Sequence, residues 1–188
     1  MSAVQTTDVS PEAASKALAT HLFHEEDELH RYAVLDGASV PDLLDQLYGE
    51  EPPEFLCLYR GELQPDMAEV APYLVQLKAG TPFSEWLLQH CWGNHWGIFV
   101  TSHDDIDTVR RHFRNFLMVR NPEGQQVYFR FYDPRVLRIF LPTCNAEQAK
   151  TMFGPLACYL CEAENPDTLL SFSDEDGPPQ CKPVKMLQ

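Results

Sequence analysis

No stretch of this sequence approaches the ~20 consecutive apolar residues that a membrane-spanning helix needs. The first ten residues hold neither a basic leading region nor an apolar run of the secretory kind, so a cytoplasmic protein is expected. Basic residues are scarce as well. Fourteen Lys and Arg against 28 Asp and Glu leave a formal charge of −14, which disfavours chain-wide attraction to nucleic-acid phosphates or to an anionic membrane. A protein partner is the better expectation, with no nucleic acid and no membrane. The sequence also lacks G-x-S-x-G, H-E-x-x-H and any glycine-rich phosphate loop, and it has no internal repeat. The common routes to hydrolysis and phosphoryl transfer are therefore without their usual residues.

What is present is enough apolar material for one core: 44% of 188 residues. The charge is distributed unevenly. Seven of the 14 basic residues are arginines within residues 110–138, where Glu123 and Asp133 are the sole acids, so that segment carries +5 and the remainder −19. Such a segment reads either as a solvated helix face with a strand edge or as a surface for acidic groups, which the planar arginine fork grips in pairs. The six cysteines could frame a disulfide scaffold in a secreted domain, but Cys57 and Cys158 sit inside apolar runs, so reduced and mostly buried thiols are expected.

Periodicity and capping chemistry predict helices over residues 10–28, 41–48, 81–93 and 105–116, then a helix opening at Asp133-Pro134 and stopped by Pro142, and a last one capped by Asn145 with Gln148. Strands are predicted at 32–35, 55–59, 73–77, 96–100, 156–161 and 168–172. A hairpin is expected where 117–120 and 127–132 flank Asn-Pro-Glu-Gly, with Val127, Phe129 and Phe131 facing inward and Tyr128, Arg130 and Tyr132 the other way. The expected fold is an α/β single domain, a mixed β-sheet flanked by helices with a flexible acidic C-terminal tail. Its expected divisions are a helical segment over 1–30, the α/β domain over 31–172 and a mobile tail over 173–188.

Chemistry-bearing clusters have bland readings beside the sharp ones. His21, His24, Glu25 and Glu28 share a helix side and could face a metal, but on so acidic a helix they read as solvated. His90, Cys91 and His95 match no standard zinc spacing and fit a helix end packed on the core. Cys158 and Cys161 form a C-x-x-C whose members project to opposite faces of a strand, and Cys144 has no base ordered against it. No catalytic residue, metal ligand or cofactor is expected, and the competing enzyme reading is a thiol- or metal-dependent hydrolase built on His90, Cys91 and His95.

The run F-R-F-Y-D-P-R-V-L at 129–137, with the hairpin and amphipathic helix before it, resembles the family known as domain of unknown function 4123. Further pieces agree in order: Y-A-V-L-D-G-A at 32–38, L-Y-R-G at 58–61, A-E-V-A-P-Y-L-V at 68–75, W-G-I-F at 96–99 and F-G-P at 153–155. The likeness covers roughly residues 30–160, and it departs from longer members in having only a short tail where they carry a further helical lobe. The resemblance implies a non-catalytic adaptor-chaperone that binds a type VI secretion effector and helps load it onto the VgrG spike. The residues expected to bind the partner are Arg110, Arg111, Arg114, Arg130, Tyr132, Asp133 and Arg135, at a strand-to-helix junction beside a basic helix. An immunity-like protein that covers a toxin is a third reading.

Overall fold

Neighbouring residues of the run Tyr32, Ala33, Val34, Leu35 fall into two different packed clusters, Tyr32 and Val34 in one, Ala33 and Leu35 in the other. Successive strand side chains point to opposite faces, so this strand is covered on both sides. The computed structural model describes residues 10–23, 28–121, 123–165, 167–174 and 177–186. In chain order its elements are helix α1 (Pro11–Leu22), strand β1 (His30–Asp36), α2 (Leu43–Leu47), β2 (Phe55–Cys57), α3 (Pro65–Glu69), β3 (Pro72–Leu77), α4 (Pro82–His90), β4 (Gly97–Ser102) and α5 (Ile106–Arg114). There follow β5 (Met118–Arg120), β6 (Gln126–Tyr128), α6 (Pro134–Phe140) running into a 3-10 turn (Leu141–Thr143), α7 (Ala146–Phe153), β7 (Leu156–Glu162), β8 (Thr168–Ser173) and β9 (Gln180–Lys185).

Seven strands form one sheet in the order β2-β3-β1-β4-β7-β8-β9, and β5 and β6 pair separately as a hairpin. The α/β class with a sheet flanked by helices is as expected, but the sheet is antiparallel at every pairing and not mixed. The reason is insertion. Helix-linked β1 and β2 run parallel but have β3 between them, and β3 and β4 likewise run parallel with β1 between them, so interleaving helices and strands here leave no parallel neighbours.

One face of the sheet is covered by α5, α6 and α7, whose Val109, Phe113, Leu137 and Phe153 pack with Tyr32, Val100 and Tyr159. The other carries α1, α2 and α4, through Leu18, Leu22, Leu43, Phe83 and Leu87. Each fully buried large side chain of this kind contributes roughly 1.5–3 kcal/mol relative to exposure. Close backbone approach also requires glycine at two places. A Cβ on Gly97 would lie 2.1 Å from the Val34 carbonyl oxygen of β1, and one on Gly37 would lie 2.5 Å from that of Ala71.

Several expectations are corrected. The hairpin's second strand stops at Tyr128 and does not reach 132: Phe131 and Tyr132 are both buried in the same cluster, and consecutive residues of a strand cannot enter the same side. Phe131 instead stacks on Phe113 with ring centroids 5.0 Å apart, while Val127 stays exposed. The stretch expected to be a mobile tail carries β9, which pairs with β8 from Thr168↔Lys185 to Ser173↔Gln180 and leads to buried Met186. Helix α3 is not among the predicted helices, since it buries no residue and so has no apolar stripe to read. Helix α1 ends at Leu22, with Leu18 and Leu22 buried in the core, and residues 24–27 of the longer helix expected there lie outside those described.

Candidate functional site

The strand-to-helix junction is built on Asp36, the last residue of β1. Its buried carboxylate accepts from Ser39 Oγ at 2.7 Å, from the Ala38 backbone N–H at 3.3 Å, and from Arg130 Nη2. Burial works against the Arg130 charge, but the Asp36 carboxylate outweighs it and holds the guanidinium above its ordinary pKa. Tyr132 lies buried beside this pair, its hydroxyl pushed upward chiefly by burial and then by Asp36. Asp133 caps α6 by accepting from the Arg135 backbone N–H at 2.9 Å, and its two oxygens take the Arg135 fork from Nε at 2.9 Å and Nη2 at 2.7 Å. Burial alone would raise the Asp133 carboxyl, yet the bonds and charge from Arg135 hold it below the usual value.

A third buried acid, Glu162, closes β7 at the same end of the sheet, since β1 and β7 both run antiparallel to β4. Its oxygen lies 2.7 Å from His95 Nδ1, and burial pushes its carboxyl upward despite the imidazole. His95 adopts a left-handed backbone, φ 55°, to reach it.

The basic helix forms a second group. Arg110 Nη2 meets Asp107 at 2.7 Å, Arg111 Nη2 donates to Thr108 Oγ1 at 2.9 Å, and Arg114 donates to three carbonyls at the end of β2: Cys57 at 3.0 Å, Leu58 at 3.0 Å and Tyr59 at 2.7 Å. Arg60, absent from the expected set, joins Thr108, Arg111, His112, Arg114 and Asn115 around a cleft of about 470 Å³. The Arg114 guanidinium is held below its ordinary pKa first by burial and then by Arg110 and Arg60. The expected site is thus two groups, an internally neutralised junction and a basic cleft. Tyr59 links the cleft to the hairpin, its carbonyl on Arg114 and its ring 6.1 Å from that of exposed Tyr128. Tyr132 and Asp133 are buried; Arg130 and Arg135 remain about half exposed. A larger groove, about 1240 Å³, runs between α1 and α4 past Lys16, Phe23, Glu85 and Trp92.

The thiols are poorly suited to attack. All six are free, and burial pushes each one above its ordinary pKa, opposite to the shift that makes a cysteine nucleophilic. Cys91 is buried, and the neighbouring His90 engages the Trp86 carbonyl through Nδ1 at 2.7 Å. Cys158 and Cys161 pack into opposite clusters, as their spacing implies. Among the described residues no group of three or more His, Cys, Asp and Glu is placed to hold a metal ion, and no helix is long and apolar enough to cross a membrane. His24 and Glu25 of the acidic helix lie outside the described residues.

A seven-stranded antiparallel sheet between two helical layers, with an ion-paired junction at one end and a basic cleft beside it, defines an α/β protein that offers a charged surface. The model of the family described as "Domain of unknown function (DUF4123)" matches residues 31–151, and the chain belongs to that family. No curated protein and no solved structure matches it.

Proposed function

We propose that this chain is a non-catalytic adaptor-chaperone of type VI secretion, which holds an effector protein in the cytoplasm and helps load it onto the VgrG spike. The observation that carries the reading is the family match over residues 31–151, together with the resemblance of its ordered motifs to adaptors of that kind. Two features of the molecule favour it over a hydrolase. Each thiol is shifted away from the thiolate, and the groups that face solvent around the junction are arginines and the hairpin's Met118, Val127 and Tyr128. Arginine with exposed aromatic and apolar neighbours is the composition of a protein-binding patch. A stable complex needs ~800 Å² from each partner, so the arginines act together with that apolar hairpin.

Affinity capture from the native bacterium, followed by co-expression of whatever large toxin is recovered, tests this. The expected result is a stoichiometric complex, a more soluble effector and no turnover by the isolated chain. Recovery of no effector, conversion of a substrate, or neutralisation of the toxin without delivery would overturn it, the last in favour of an immunity-like role.

A further inference from the structure

In a chain with twice as many acids as bases, three guanidinium groups converge with no carboxylate among the described residues to meet them. Arg60, Arg111 and Arg114 make no ion pair there, whereas the other arginines named above, Arg110, Arg130 and Arg135, each hold an aspartate. The three line one cleft, and the Arg114 guanidinium, lowered first by burial, is lowered further by the charges of Arg110 and Arg60. Asp105, the acid nearest in effect to Arg111, is spent on the first turn of α5, accepting from the Thr108 backbone N–H at 2.8 Å. Two of these cations are also held in place. Arg114 is pinned by its three carbonyls and Arg111 by Thr108, so little side-chain freedom is lost when an anion enters.

We infer that this cleft is an anion site for the carboxylates of an acidic, extended protein segment, with Arg60 as the movable grip and Arg111 and Arg114 as the fixed ones. The remaining lining fits such a ligand. Asn115 supplies an exposed amide, and His112 donates Nε2–H to the Met152 carbonyl at 2.8 Å, with burial lowering its pKa against the opposing effect of that bond. A polyanion such as nucleic acid is disfavoured because the chain as a whole carries a net −14, these arginines included, whereas one or two carboxylates on a peptide meet only the local field. That the ligand is a protein segment rests on the adaptor reading; that the cleft binds an anion does not.

The test uses the full chain with isotope-labelled amides and three probes: a short oligoglutamate peptide, the same peptide with glutamine throughout, and inorganic phosphate. The expected result is saturable binding of oligoglutamate alone, with shifts centred on Arg60, Arg111, Arg114 and Asn115, weakened by raising salt from about 0.05 M to about 0.5 M. The double reversal Arg60→Glu with Arg111→Glu, which leaves Arg114 and the β2 carbonyls intact, should weaken binding by about tenfold or more at unchanged melting temperature. No binding, equal binding of the glutamine peptide, or binding untouched by the double reversal overturns the site. Phosphate binding there without the peptide overturns the assignment to a protein segment. Because no effector is present, failure here is distinct from failure of the capture experiment.

Discussion

Removing Arg130 should expose how much of the fold hangs on one ion pair between distant parts of the chain. Asp36 is buried at the end of β1, and without Arg130 its carboxylate keeps just the Ser39 hydroxyl and the Ala38 N–H. Breaking a fully buried pair by deleting one partner costs about 3–5 kcal/mol. The Arg130 side chain is 47% exposed, however, so water screens the pair and can partly replace the guanidinium, which brings the expected loss for Arg130→Ala to about 2 kcal/mol. Asp36→Asn keeps an acceptor for Ser39 and leaves the arginine in contact with solvent, so its loss should be smaller, about 1 kcal/mol. In the double variant the two losses should overlap, leaving a coupling of about 1 kcal/mol. Urea unfolding followed by circular dichroism at neutral pH measures all four corners, and an unchanged slope would show that stability alone has moved. The coupling should survive added salt, because one partner is buried. If Arg130→Ala unfolds within about 0.3 kcal/mol of the parent, or if the two losses simply add, the pair is an exposed contact of no consequence and the reasoning fails.

Gly97→Ala places a methyl 2.1 Å from the Val34 carbonyl, and a backbone atom in a central strand cannot give way; a loss above about 3 kcal/mol is expected. In a thermal melt that is a fall of about 6–12 °C, and a fall under about 3 °C would refute the contact. Glu162 has a raised folded pKa, so the folded state binds protons more readily than the unfolded one and stability declines as pH climbs past the ordinary 4.5. Glu162→Gln should abolish that decline and equal or exceed the parent at pH ~7; a variant that is less stable at neutrality, in urea titrations across this range, would show that the pair with His95 outweighs the burial cost. Asp133 has the opposite sign. Its depressed pKa gives stability that is present above 3.8 and lost as pH falls through the lower folded value, so Asp133→Asn should retain the cap but flatten the acid limb of the stability curve. An unchanged acid limb would locate the acid sensitivity elsewhere.

Features that depend on near neighbours are legible in the amino-acid order. Asp105, Asp133 and the reciprocal Asn145–Gln148 pair cap their helices as their spacing implies, because capping is settled within four residues. Central strands are legible for a similar reason, as a run apolar on both faces admits few other placements. Pairing order is not, since antiparallel insertion of β3 and β1 between helix-linked strands is decided by contacts far apart in the chain. Strand β9 escapes such a reading because an edge strand needs little apolar surface: Cys181, Lys182, Pro183 and Lys185 are exposed, and lysine and proline are what a protected edge carries. Arg60 escapes because it is one exposed residue on a turn, and it acquires meaning when Arg114 draws the end of β2 against α5. The arginine cluster itself is visible as charge, but how it divides between internal pairs and open donors is not.

That division bears on how the family motif should be understood. In F-R-F-Y-D-P-R, Phe131 stacks on Phe113, Arg130 ties the segment to Asp36, Tyr132 is buried, and Asp133 both caps α6 and takes the Arg135 fork. Asp36 itself belongs to another piece of the resemblance, and its neighbour Gly37 lies against the backbone of a third at Glu69 and Ala71. The motif residues are therefore joined mainly to one another, and their energy goes into fastening the hairpin and α6 to the end of the sheet. Side chains spent in this way have few free donors left with which to choose a partner. On the proposed adaptor reading, choice falls instead to groups that hold no aspartate of their own, Arg60 and Arg111 in the cleft, and to the exposed Met118 and Tyr128 on the hairpin. Among the described residues those positions make no hydrogen bond or ion pair within the junction, so on that same reading a chain could keep the whole motif and still select a different protein to hold.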